Sequence, residues 1–223
     1  VLSLSHEDVI RGKKSLLDRM SGDYLQKFAN TRAFLGHMMT RPGKKLMFMG
    51  CEIGEFREWD HKGQIEWFLL DYEAHAKLQR FFSEMNHFYL EHPALWECDS
   101  ESADFWIAPD NCEKKILSYQ RIAKSGERIL VVINFTPIAY ENYEIGVSEA
   151  GDYEELLNSD DVAFGGSGLK NDKHIRAEEK PFHKDNHVIT ITVPPLAACI
   201  FRRRRNSERP KTQLLKPTPI DPT

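Results

Sequence analysis

The sequence predicts an α/β unit followed by an antiparallel β-sandwich, and three observations carry that expectation. Two apolar stretches, residues 1–5 (VLSLS) and 44–50 (KKLMFMG), each run directly into carboxylates, with a helix-like segment between them. Beyond Leu95 the apolar spacing changes from about 3.6 residues to about 2, the change from helix to strand. The chain has 223 residues, 41% hydrophobic and 29% charged, which suits one to two globular domains with a buried core.

Taken in order, the opening stretch alternates like a strand and delivers His6, Glu7 and Asp8 to its carboxyl end. In parallel α/β folds that end carries the chemistry, because loops vary there while strands hold them rigid. Residues 11–19 read as a basic loop with Lys13, Lys14 and Arg19, a solvated segment beside the site. Asp23 offers a helix N-cap, and Leu25, Phe28, Ala29, Leu35, Gly36 and Met39 form one stripe of an amphipathic helix that Pro42 and Gly43 end. Arg32 lies inside the stripe, so it predicts an acidic partner, with Glu7 and Glu52 as candidates, unless its long stem snorkels from the stripe's edge. The run LMFM then predicts a parallel strand buried on both faces. Its exit holds Glu52, Glu55, Phe56 and Trp59, and carboxylates beside aromatic faces are a common way to hold a sugar.

From residue 72 to 92 a second helix places Leu78, Phe81, Phe82, Met85, Phe88 and Tyr89 on one face, with Pro93 beyond its end. Strand-like segments follow at 105–108, 115–122, 129–135, 143–147, 153–157 and 188–193, parted by Gly, Asn, Asp and Pro. The glycine-rich stretch 164–176 lacks the GK[ST] ending of a phosphate-binding loop and reads as flexible surface. Four arginines, 202–205, open a basic, proline-containing tail.

Composition excludes several classes of function. A net charge of -4, from 34 acidic and 30 basic residues, argues against general affinity for nucleic acid or an anionic membrane. Cys51, Cys98, Cys112 and Cys199 form no CxxC pair, and His174, His183 and His187 are irregularly spaced, so the chain is expected to hold no metal. No apolar run approaches the roughly 20 residues of a bilayer span and no leader pattern opens the chain, so the cytoplasm is the expected compartment. Val1 starts inside a strand-like stretch with no Met before it, and the chain is expected to be a fragment of a longer polypeptide.

The segments LSLSHEDV, GKKSLLDRM, GDYLQKFAN, PGKKLMFMGCEIGEFREW, NFTP and VPPLAA, in one register from Val1 to about Arg202, closely resemble the C-terminal part of bacterial glycogen (1,4-α-glucan) branching enzymes, members of the α-amylase-like clan. That resemblance implies that residues 1–97 are the last two strands and helices of a (β/α)8 barrel, that 98–203 form the β-sandwich, and that 204–223 are a disordered tail. It implies an α-glucan substrate, no cofactor, and a retaining transfer of an α-1,4-linked chain to a 6-hydroxyl. His6 matches the family's sugar-contacting histidine. The family pattern continues Asp then Glu, whereas here Glu7 precedes Asp8. By register Glu7 takes the place of the transition-state stabiliser, with Asp8 as the alternative. Asp8, Glu52 and Trp59 join His6 as expected substrate contacts, and Arg32 as the expected electrostatic support of Glu7. The family's nucleophilic Asp and acid/base Glu match nothing in these residues, so the chain alone is expected to be inactive. The other class of function open to it is a non-catalytic carbohydrate-binding or interaction module.

Overall fold

The computed structural model describes residues 4–98, 114–182 and 185–204. Among the described residues three α-helices come first: α1 (Leu16–Arg19), α2 (Tyr24–Thr40) and α3 (Glu73–Glu91). Eight strands follow: β1 (Ile116–Ile122), β2 (Arg128–Asn134), β3 (Tyr140–Val147), β4 (Asp152–Asn158), β5 (Ile175–Arg176), β6 (Glu178–Phe182), β7 (Asp185–Val193) and β8 (Ala197–Arg203). They form two antiparallel sheets, ordered β1-β2-β8-β4-β5 and β3-β7-β6.

The molecule has three layers, and alternation along the central strands explains why. Ile129, Val131 and Ile133 of β2, with Ala198 and Ile200 of β8, face a core shared with α2 and α3. Leu130, Val132, Cys199 and Phe201 face the other way, into a second core with Tyr143, Ile145, Ile189 and Ile191 of the smaller sheet. A strand covered on both faces has both sets of side chains apolar, and LVVI and ACIF read that way in the sequence.

Helix α2 sits where it does because a small residue faces a small residue. A Cβ added to Gly36 would lie 2.7 Å from the Ala198 Cβ. The helix is buried on most of its circumference, including Thr31, Arg32, Ala33, Met38 and Thr40, while Leu25 of the expected stripe is 65% exposed. Its start is the Asp23 cap, whose carboxylate accepts from the Gln26 N–H at 2.9 Å while the Gln26 side chain accepts from the Asp23 N–H at 3.0 Å. Helix α3 buries Leu78, Phe81, Met85 and Phe88 as its periodicity indicates.

Two sequence motifs are joined in the structure. The Asn134 side-chain amide, within NFTP, donates to the Pro194 carbonyl at 2.9 Å and to the Ile138 carbonyl at 2.7 Å, so it ties the end of β2 to the VPPLAA turn. The turn itself needs Leu196 in the left-handed region at φ 47°, and the Leu196 N–H donates to the Thr136 carbonyl at 2.9 Å.

No barrel part is evident in the described residues, and four local expectations are corrected. The stretch 44–50 forms no strand, and Leu46 and Met49 are 52% and 55% exposed. What remains is a backbone bond from Leu4 N–H to the Leu46 carbonyl and one parallel bridge, Ile10 to Trp59. Parallel strands occur in sheets whose two faces are covered, and with Leu46 and Met49 open to solvent the described residues give this stretch no such cover. The basic loop contains a helical turn, α1, capped by Ser15, which buries Leu16 and Leu17. Arg202 and Arg203, read as the start of a tail, belong to β8, and Arg204 N–H still donates to the Asp152 carbonyl at 2.8 Å.

The glycine-rich stretch is the fourth correction, because a buried carboxylate organises it. Asp160, 5% exposed, accepts from the Ser167 and Leu169 N–H groups at 2.9 and 3.2 Å. Gly166 lies so close to the Asp160 backbone that an added Cβ would meet its carbonyl oxygen at 2.1 Å. The expected strand at 105–108, Cys112, His183 and the tail from 205 lie outside the described residues.

Candidate functional site

The turn that carries the expected site is a short 3-10 helix, His6–Asp8, entered from Ser5 in extended conformation. Asp8 folds back on that turn. Its Oδ2 accepts from the Ser5 N–H at 2.8 Å and from the Ser5 hydroxyl at 3.0 Å, and these bonds hold its carboxyl below the usual carboxylate range. Glu7, one residue earlier, is exposed. The reversed order of the two acids therefore separates their roles, since the shorter one caps its own turn and the longer one faces outward.

His6 is brought to Trp59, with ring centroids 5.6 Å apart in an edge-on contact, and Phe48 completes the trio at 5.4 Å from Trp59 and 6.3 Å from His6. The parallel bridge does the positioning, since the Trp59 N–H donates to the Val9 carbonyl at 2.8 Å. Glu52 stands on a second 3-10 turn, Cys51–Ile53, between Gly50 and Gly54, which take φ 87° and 70°. Burial first, then the charges of Glu52 and Glu55, push the Cys51 thiol up to about 12, and Asp8 acts on it in the same sense. The two acidic turns thus converge around one buried, unreactive thiol.

Beside Trp59 lies a small concavity lined by Glu55, Arg57, Glu58, Trp59, Asp60 and Glu66 among others. Burial raises the Glu55 carboxyl, the Glu66 N–H donating to it at 2.7 Å works against that, and the Glu66 and Glu52 charges raise it again. Glu58 accepts from Gly12 N–H with both oxygens, at 3.0 and 2.9 Å, and from Lys14 N–H at 2.7 Å. These amide bonds hold its carboxyl below the usual range.

Arg32 does not meet Glu7 or Glu52. Its Nε–H donates to the Ser159 carbonyl at 2.9 Å, its Nη2 reaches the Gly165 carbonyl at 3.4 Å, and the acid that opposes its burial is Asp160. Burial lowers its pKa to about 10, and the Asp160 charge works against that drop. Arg32 therefore fastens α2 to the loop after β4, and it supports the sandwich rather than the acidic turns. Two residues that matter went unread in the sequence. Asp160 could have been found, as an aspartate before a Gly/Ser stretch is a loop-organising signal. Glu58 could not, because its partners lie 44 and 46 residues away.

Residues 106–204 match the family described as alpha amylase, C-terminal all-beta domain. Among solved structures, the catalytic module of the pneumococcal glycogen-degrading virulence factor SpuA superposes with a TM-score of 0.61 at 16% identity, over 86% of this chain and 35% of that one. Pullulanase from Bacillus acidopullulyticus superposes at 0.60, with 16% identity over 85% and 23%. These likenesses establish the fold.

The sequence is more particular. It is 50% identical over 204 residues to the 1,4-alpha-glucan branching enzyme GlgB of Halothermothrix orenii, covering 91% of this chain and 32% of that protein. The GlgB proteins of Desulfitobacterium hafniense and Pseudomonas syringae are 46% and 42% identical, over 91% and 92% of this chain and 32% and 28% of theirs. The chain thus spans about a third of the length of the curated relatives it matches and corresponds to the C-terminal portion of a branching enzyme. No helix among the described residues is long and apolar enough to cross a membrane.

Proposed function

We propose that this chain is the C-terminal part of a 1,4-α-glucan branching enzyme, in which residues 1–97 close a (β/α)8 barrel and 98–203 form its sandwich domain. Breaking a glycosidic bond develops positive charge on the sugar, and a retaining enzyme surrounds it with carboxylates, one of them the nucleophile and one the acid/base. In this reading those two lie on segments outside the 223 residues, and Glu7 is the third carboxylate, stabilising the transition state. His6 hydrogen-bonds sugar hydroxyls as charge develops, Trp59 offers an aromatic face, and Glu52 lies at the same mouth. The partner is an α-glucan, and the compartment is the cytoplasm. The observation that carries the assignment of Glu7 is that Ser5 occupies the Asp8 carboxylate while Glu7 remains exposed beside the His6–Trp59 pair.

The test is Glu7→Gln in the full-length protein, with branching followed by loss of iodine–amylose absorbance and by the α-1,6 signal of the product. A fall of about 10²- to 10³-fold in kcat with an unchanged circular dichroism spectrum is expected. A wild-type rate would remove Glu7 from the site. The isolated chain is expected to form no branches, and branch formation by it would overturn the reading.

A further inference from the structure

We infer that Glu58 is a positioning residue for this site: its carboxylate clamps the loop that follows the His6–Asp8 turn and so fixes where that turn presents its side chains. The inference rests on the branching-site reading above. Loop 9–14 leaves the turn and is fastened on one side by backbone pairing, Trp59 N–H to the Val9 carbonyl at 2.8 Å. On the other side Glu58 holds it. Gly12 and Lys14 take positive φ of 88° and 64°, a conformation in which successive N–H groups converge to form an anion-binding concavity. The Glu58 carboxylate fills it with bonds of 3.0, 2.9 and 2.7 Å.

Packing holds the two ends of the loop, through buried Val9 and Leu16, and leaves its middle to the carboxylate. Nothing lies within 4 Å of a Cβ built on Gly12, so the loop stands clear of side chains at the position where the carboxylate grips it. Glu58 is also the residue before Trp59, and one short segment therefore both pairs with the loop and supplies the aromatic face against His6. Removing the clamp frees the loop to shift relative to Trp59, and a misplacement of about 1 Å at a reacting centre can cost about 10²-fold. Both Glu58 oxygens are engaged by N–H groups of the loop, so its loss should lower kcat while leaving substrate affinity nearly unchanged.

The experiment uses the full-length branching enzyme carrying Glu58→Ala, Glu58→Gln, Gly12→Ala and the double variant E58A/G12A, with amylose as substrate. Glu58→Ala is expected to lower kcat by about 10- to 100-fold with KM within about twofold of wild type. Glu58→Gln, which keeps one acceptor oxygen, should fall between. Gly12→Ala strains the same loop, so the double variant should be no slower than the slower single variant, because both changes act through one element. Wild-type kcat in Glu58→Ala, or losses that multiply in the double variant, would overturn the inference. If Glu58→Ala does not fold, Glu58→Gln and Gly12→Ala decide in its place, and unaltered kcat in both overturns it. Glu7→Gln is run alongside. An inactive E7Q beside a fully active E58A sinks the clamp alone, whereas a fully active E7Q sinks the site on which the clamp depends.

Discussion

A single histidine shows how burial writes a pH dependence into this fold. His37 stands on α2 with its Nδ1 at 3.4 Å from the Tyr119 hydroxyl, which also bonds the Thr40 hydroxyl at 2.5 Å. Burial first, then the charges of Arg41 and Lys45, lower its pKa from 6.5 to about 4. Between those values the unfolded chain takes up a proton that the native protein refuses. The proton therefore favours unfolding, and stability is lost as pH falls from about 6.5 to about 4. The unfolding midpoint, followed by circular dichroism against pH, should drop through that window, and His37→Gln should drop less steeply. Equal slopes in the two proteins would show that other groups set the dependence. Asp8 and Glu7 make a related point at the same scale. Two neighbouring acids differ in role because one side chain is short enough to reach back to Ser5.

At the scale of elements, the seat of α2 on the larger sheet is the contact most sensitive to volume. Gly36→Ala should raise the helix's own propensity by nearly 1 kcal/mol, yet its new methyl would stand 2.7 Å from the Ala198 methyl. Overpacking of this kind costs about 1–3 kcal/mol, so a net destabilisation is expected in urea unfolding. Ala198→Gly in the same chain should recover part of the loss by making room. A neutral or stabilising Gly36→Ala would mean that helix and sheet can separate freely. The Arg32 bridge to Ser159 and Gly165 fastens the same helix to the loop after β4, so α2 is held to the sandwich by both shape and charge.

For the molecule as a whole, the larger sheet is an inner layer. Tyr119, Val131, Ile133, Ala198 and Ile200 turn toward the helices, and all are essentially buried. Residues 98–204 produced alone would expose that face. A continuous apolar surface of this kind promotes association. Enhanced fluorescence of a hydrophobic dye and a broadened thermal transition are expected relative to the longer chain. A dye-silent, cooperatively unfolding fragment would show that the face needs no cover.

Local periodicity and side-chain type set the parts of the fold that a segment's own residues can specify. Helices α2 and α3, the antiparallel strands β1 to β4 and β7, and the closeness of His6 to Trp59's segment were all legible from residue spacing or from the family resemblance. Asp23 and Pro93 marked helix boundaries for the same reason. Only the assembled fold settles which acid meets Arg32 and which loop Glu58 grips. It also decided that residues 44–50 form no strand here. Each of these outcomes depends on partners distant in the chain, or on neighbours that must flank a strand before its backbone bonds can form. Pattern within a segment carries no information about which far segment will meet it.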